Sequence, residues 1–198
     1  MLVAMEDDAA LMRAAQTDHA SFGTLFDRHF ATVFRFCERR VGRTMAEDLA
    51  GETFRRAFEA RHSYDLSKPN ALPWLYRIAL NLVRDALRAR AAEDRAYARL
   101  HALAGTGRSS EDDQPARRAE ARVDLAALAR LLLAEPELDV DALFLHVWDG
   151  LSYLEVAAVL GVPVGTIRSR LSRLRRRLEE RLEIEGSGSA STRCEELE

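Results

Sequence analysis

The sequence predicts an all-α chain of two small helical domains joined by a flexible linker, the C-terminal one containing a helix-turn-helix. Three observations carry this expectation. Apolar residues recur at spacings of three and four almost throughout, and no convincing period-two run appears. Helical blocks flank the stretch HALAGTGRSSEDDQPARRAE (101–120), which carries Gly, Ser, Asp and Pro and almost nothing apolar after Leu103. Near the C-terminus, a short apolar helix, a glycine and a basic amphipathic segment follow one another in SYLEVAAVLGVPVGTIRSRLSRLRRRL. The expected organisation is therefore 1–100, linker 101–120, 121–185, and an irregular tail over 186–198.

The first block divides into helices near 6–18, 21–41, 45–61 and 71–99. TMAE supplies a capping box for the third, with Thr44 reaching forward to the third residue and Glu47 reaching back. Asn70 caps the fourth, whose first turn tolerates Pro73, and SYDLSKPN forms the loop before it. The second block gives helices near 121–134, 138–149, 152–160 and 164–184. Here Ser152 and Glu155 of SYLE form another capping box, and Gly161 marks the bend of the helix-turn-helix. From Gly186 the composition, GSGSASTRCEELE, stops favouring a helix.

Composition bounds the function. The chain has 198 residues, 47% hydrophobic and 31% charged, with a formal net charge of −3. Any affinity for a polyanion must then come from local patches rather than from global charge. Almost every cation is Arg, Lys68 being the only lysine. Cys37 and Cys194 stand far apart and form neither a disulfide framework nor a zinc site, which points to a reducing, cytoplasmic setting. The five histidines are scattered, so neither a metal nor another cofactor is expected. The opening MLVAMEDDAA turns acidic too soon for a signal peptide, and no apolar run approaches the roughly 18 to 20 residues of a membrane span.

The basic segment answers to a helical layout. At 100° per residue, Ile167, Leu171, Leu174 and Leu178 fall within about 20° of one direction. Gly165, Ser169, Ser172, Arg173 and Arg176 face the other way, with Arg168, Arg170 and Arg177 on the flanks. Between Thr166 and Arg181 seven arginines stand against Glu179 and Glu180, a local net of +5. Small residues at the start of such a helix let its backbone approach a DNA groove, while Arg reads guanine edges or grips phosphate.

A second cationic line lies on NALPWLYRIALNLVRDALRAR. Leu75, Ala79, Leu82 and Ala86 make one face, expected to be core. Opposite them Trp74, Arg77, Asn81, Arg84 and Arg88 follow at spacings of 3, 4, 3 and 4. A planar amide among arginines, with an aromatic at one end, suits a grip on backbone and the capture of unstacked bases. Trp74 also reads as a core residue at a helix start. The third helix, AEDLAGETFRRAFEA, differs: Leu49, Phe54, Ala57 and Phe58 supply a buried side, while Asp48, Glu52, Arg55, Arg56 and Glu59 are mixed in sign, a face for a protein partner or for solvent.

AEDLAGETFRRAF, WLYRIALNLVRDALR and GLSYLEVAAVLGVPVGTIRSRLSRLRRRL, in that order and separated by a polar linker, resemble the bacterial RNA polymerase sigma factors of the extracytoplasmic-function group. The likeness runs from about Thr17 to Leu182. It implies an alternative sigma factor, with no enzyme activity of its own, that binds core polymerase and directs promoter-specific initiation. By the resemblance, Asp48, Glu52, Thr53, Phe54 and Arg56 would meet the clamp helices of the largest subunit. Trp74, Arg77, Asn81, Arg84 and Arg88, with the preceding loop, would recognise and help open the −10 element, Asn81 matching the base-contacting amide. Gly165, Thr166, Arg168, Ser169, Ser172, Arg173 and Arg176 would enter the major groove of the −35 element, and the same domain would touch the polymerase flap. An anti-sigma factor is a further expected partner, and no membrane insertion of the chain itself is expected. The 20-residue linker (101–120), reaching at most about 66 Å, would span roughly 19 base pairs.

Two features depart from the family pattern. Gly51 stands where the family usually carries Gln, and inside a helix it costs about 1 kcal/mol relative to Ala. The segment LLAEPELDVDAL is more acidic than its counterpart, and the resemblance supplies no role for those acids. Another class of function shares the basic helix: a stand-alone regulator binding an operator as a dimer. That reading leaves the mixed-charge helix and the second cationic line without a purpose. An enzyme finds no support, since no paired carboxylates in an apolar setting, Ser/His or Cys/His set, or Gly-rich phosphate loop is present.

Overall fold

The computed structural model describes residues 7–104, 131–132 and 134–192, with side chains through 96 in the first run and through 182 in the last. The chain divides into two compact units, Met1–Ser109 and Ser110–Glu198. Every regular element among the described residues is helical. No described helix is long and apolar enough to cross a membrane. Most of the expected linker and of the helix expected near 121–134 lies outside the described residues, although residues 101–104 and 131–132 are helical.

The first unit contains α1 (Asp8–Ala14), α2 (Ala20–Val41), α3 (Arg43–Glu59), a 3-10 turn (Arg61–Ser63) and α4 (Leu72–Ala104). Asp7 caps α1 by accepting a hydrogen bond from the Ala10 N–H at 2.7 Å. The start of α3 corrects the sequence reading. Gly42, with φ 79° and ψ 167°, makes the turn out of α2 in a backbone region closed to most residues. The helix therefore starts at Arg43, no side chain caps it, and the expected Thr44–Glu47 box does not form. Asn70 caps as expected, its Oδ1 accepting from the Leu72 N–H at 2.9 Å, and Pro73 lies in the first turn of α4.

The core of this unit is an aromatic and aliphatic wedge. Phe22, Leu25, Val33 and Phe36 of α2, Phe54 of α3 and Leu75, Tyr76, Leu80 and Val83 of α4 are buried. Phe36 stacks on Tyr76 at 4.6 Å, and Phe26 meets Phe54 edge-on at 4.9 Å. The buried face of α3 carries Ala46, Ala50 and Ala57, whose small side chains admit the larger ones of its neighbours. Of the face predicted for α4, Leu75, Ala79 and Leu82 are buried and Ala86 is half-buried.

The second unit contains α5 (Glu137–Val147), α6 (Tyr153–Leu160) and α7 (Val164–Thr192). The Ser152–Glu155 capping box is complete in both directions. Gly161 ends α6 in the left-handed region at φ 68°, and the Val162 N–H reaches back to the Ala157 carbonyl at 3.1 Å. Ala142, Leu145, Leu151, Val156, Val159, Ile167, Leu171 and Leu174 form the core, with Leu178 half-buried at its edge. The last helix runs to Thr192, past Gly186 where the tail was expected to begin; extending an existing helix adds one backbone bond per residue without a new nucleation cost.

Candidate nucleic-acid interface

On α4 the leucine side is buried and the cationic line is turned to solvent. Arg77, Asn81 and Arg88 are exposed, and Trp74 and Arg84 are half-buried. From Trp74 to Arg88 the line covers about 21 Å of helix at 1.5 Å per residue. Asp85 enters its margin, pairing with Arg88 at 3.3 Å, but both side chains are mostly exposed, so this pair contributes little. Trp74 is half-buried and packs edge-on against buried Tyr64 at 5.3 Å.

The loop before α4 is held from below by a residue that sequence reasoning missed. Asp8, 4% exposed, accepts from Arg28 Nη1 at 2.7 Å and from the Ala71 N–H at 2.8 Å, and lies 2.8 Å from His29 Nε2. Its own N–H donates to the Pro69 carbonyl at 3.0 Å. Burial pushes this carboxyl up, but hydrogen bonds from His29, the Ala71 amide and Arg28, with the charge of His29, hold it down at about 2. Within the loop, Tyr64 Oη donates to the Lys68 carbonyl at 2.6 Å, and burial with the nearby Asp8 charge pushes that phenol up to about 12. The Asp8 contacts join residues 20 to 63 positions apart, so local spacing carried no signal of them.

The exposed side of α3 is a mixed-sign lattice. Glu52 takes hydrogen bonds from Arg55 Nε at 2.6 Å and from Arg56 Nε at 2.8 Å, which hold its carboxyl down at about 2. Asp48 and Arg56 are exposed beside it. Thr53 and Phe54 correct the expected contact set. Thr53 is wholly buried with its hydroxyl donating to the Leu49 carbonyl at 2.7 Å, and Phe54 is 3% exposed among the aromatic rings. At three and four residues from Ala50 and Ala57 they share the core face, so neither offers a surface to a partner.

On α7, Gly165, Arg168, Ser169, Ser172, Arg173 and Arg176 are exposed, and Thr166 is half-buried. A Cβ added at Gly165 would meet nothing within 4 Å, so the backbone stands bare at the head of the helix. Arg173 Nε donates to the Ser169 carbonyl at 3.1 Å, and Arg168 lies 6.0 Å from the Tyr153 ring centre. The Arg175–Glu179 and Arg176–Glu180 pairs are exposed and weak.

The other three arginines are engaged inward. Arg177 donates to Glu135 and Asp139, with its nearest contacts at 2.6 and 2.9 Å. Arg170 donates to Asp139 at 2.9 Å, and Arg181 lies 3.2 Å from Glu135. The hydrogen bond with Glu135 holds the Arg177 pKa above its ordinary value. Glu135 and Asp139 come from the acidic segment that the sequence left without a role.

Residues 25–93 match the family described as Sigma-70 region 2, and residues 125–178 match Sigma-70, region 4. The RNA polymerase sigma factor NccH of Alcaligenes xylosoxydans xylosoxydans is 30% identical over 87% of this chain and 92% of its own length. The ECF RNA polymerase sigma factor SigW of Bacillus subtilis is 29% identical over 83% and 90%. Among solved structures, CnrH in complex with the cytosolic domain of CnrY is similar at a TM-score of 0.61, with 27% identity over 89% of this chain and 97% of that one. RpoE from Bartonella quintana, in complex with the anti-sigma factor NepR, is similar at 0.54, with 27% identity over 82% and 97%.

Proposed function

This chain belongs to the extracytoplasmic-function group of RNA polymerase sigma factors, and from that membership we propose which of its surfaces performs each part of initiation. It is an alternative sigma factor that binds core RNA polymerase and directs promoter-specific transcription. The α3 lattice of Asp48, Glu52 and Arg56 meets the clamp helices of the polymerase largest subunit, and the second unit also touches the flap. The line Trp74, Arg77, Asn81, Arg84 and Arg88 takes the −10 element, Asn81 capturing an unpaired base by its amide. The head and outer side of α7 enter the −35 major groove, where Arg168, Arg173 and Arg176 grip phosphate or read base edges.

The mechanism is differential binding. Duplex is held at −35, and unpaired bases at −10 are favoured over paired ones, which shifts the equilibrium toward the open promoter. We assign the chain no reaction of its own, and its setting is the cytoplasm, where its polymerase works. By likeness to the RpoE structure, an anti-sigma factor is a further partner.

The observation that supports this reading most is that two cationic faces, one in each unit, are turned to solvent while the apolar side of each helix is buried. Gel shifts of promoter DNA with and without core polymerase test it. A shift that needs the polymerase, together with run-off transcription from a promoter selected by the reconstituted holoenzyme, is the expected result. Tight operator-like binding by the chain alone, with no association with core polymerase, would overturn it in favour of a stand-alone regulator.

A further inference from the structure

The seven arginines of α7 do not act as one patch. On the helical layout, Arg170, Arg177 and Arg181 lie within about 40° of one another on one flank, between the core side and the side bearing Ser169, Ser172 and Arg176. That flank faces the acidic segment preceding and opening α5. Glu135 and Asp139 are nearly inaccessible there, their side chains 2% and 5% exposed. Pro136 stands between them, and the Asp139 and Val140 amides bond back to its carbonyl, so the two carboxylates are presented from a fixed turn. Arg170 and Arg177 are drawn in to 34% and 32% exposure, whereas Arg175 and Arg176 remain at 82% and 71%.

We propose that Glu135 and Asp139 limit the sequence-independent DNA affinity of α7 by withholding Arg170, Arg177 and Arg181 from the phosphate backbone. The inference rests on the reading that α7 binds the −35 duplex. Phosphate contacts raise affinity for every sequence alike and steepen its salt dependence, while base contacts raise it for the right sequence only. A recognition helix with seven outward arginines would hold duplex of any sequence more tightly and with a steeper salt dependence. Pairing three of them with buried carboxylates leaves Arg168, Arg173, Arg175 and Arg176 outward, with the small residues Gly165, Ser169 and Ser172 among them. The set is not optimised for stability: Arg170 Nε is buried without a hydrogen-bond partner, Glu135 Oε1 meets Arg181 as an ion pair at 3.2 Å outside hydrogen-bond geometry, and buried ion pairs in general contribute little net stability. A role in limiting indiscriminate phosphate contact gives those acids the function that the family pattern left blank.

The test measures salt dependence of holoenzyme binding to two probes: a duplex selected from a randomised pool by the wild-type holoenzyme, and a random-sequence duplex of equal length. In Glu135→Gln/Asp139→Asn the arginines lose their charge partners. The log–log salt slope on random duplex becomes steeper by about 1 to 3, at about 0.9 for each arginine that gains a phosphate. Affinity for the selected and the random duplex rises together at 50 mM salt, and each added contact makes it fall about 3.5-fold more between 50 and 200 mM. A slope unchanged or shallower, in protein with wild-type helicity, would overturn the proposal. A second variant keeps the test independent of folding: adding Arg170→Gln, Arg177→Gln and Arg181→Gln leaves an uncharged set. It retains the wild-type slope if those arginines never reach DNA, and a slope reduced by about 1 or more would show that they do, overturning the proposal. If the wild-type holoenzyme shows no preference for duplex carrying a −35 element, the underlying assignment of α7 fails instead, whatever the variants do.

Discussion

The cationic faces of α4 and α7 use buried carboxylates in opposite ways. In the second unit, Glu135 and Asp139 hold arginines of the contact helix itself, thinning a dense ridge to its outer members. In the first unit, Asp8 fixes the loop and first turn that lead into the Trp74–Arg88 line, through Pro69 and Ala71. The contrast follows from the ligand each face is assigned. A duplex groove is preformed, so the protein's task is to limit indiscriminate phosphate contact. Unpaired bases must be caught, so the task there is a preorganised receiving surface that pays no ordering entropy at the moment of opening.

This comparison can be broken at several points. The largest effect is expected at Asn81. Asn81→Ala, scored by fluorescence of a 2-aminopurine placed in the −10 element, should reduce open complex about 10- to 100-fold, since amide contacts to a base are worth about 1–3 kcal/mol. Initial binding to closed promoter should fall far less. If both fall equally, the two faces do not divide the work.

Next is the Asp8 latch, where pH supplies the handle. Its folded pKa, about 2, lies below the ordinary 3.8. The stabilisation is therefore complete above about pH 4 and is lost as pH falls through about 2. Asp8→Asn should remove about 2 kcal/mol at pH 7 and flatten the acid limb of the stability curve. Chemical denaturation between pH 2 and 7 checks it; a variant with the wild-type acid limb would exclude Asp8 as its source.

A smaller effect is expected at Arg173. Arg173→Ala should weaken binding to the −35 duplex and lower the salt slope by about 1 if it grips phosphate, or relax the preference at one base pair if it reads a base edge. Smallest is Gly51→Ala on the exposed side of α3, which should stabilise the first unit by about 1 kcal/mol. The added Cβ meets nothing within 4 Å, and unchanged affinity for core polymerase would show that this position adds no contact of its own.

What the sequence disclosed was whatever is local. The faces of α4 and α7 follow from a 3.6-residue period, and the Ser152 box and the Gly161 bend follow from residue types at fixed spacing. The α3 start was misread because two local signals competed, and the glycine turn at Gly42 prevailed over the Thr44 box. Thr53 and Phe54 were carried over as partner contacts from a motif whose spacing equally suits a buried face, and burial decided between the two. The roles of Asp8, Glu135 and Asp139 were illegible for a different reason. Each depends on hydrogen-bond and charge partners brought together from 20 to 63 residues away, which no periodicity announces.

The central claim is that each cationic helix face engages a different form of the same promoter. Equilibrium binding of the holoenzyme to two probes, a −35 duplex and a single-stranded −10 oligonucleotide, tests it most directly when wild type, Asn81→Ala and Arg173→Ala are run side by side. The account predicts a crossed pattern, with Asn81→Ala losing the single strand alone and Arg173→Ala losing the duplex alone. Parallel losses on both probes, or none on either, would contradict it.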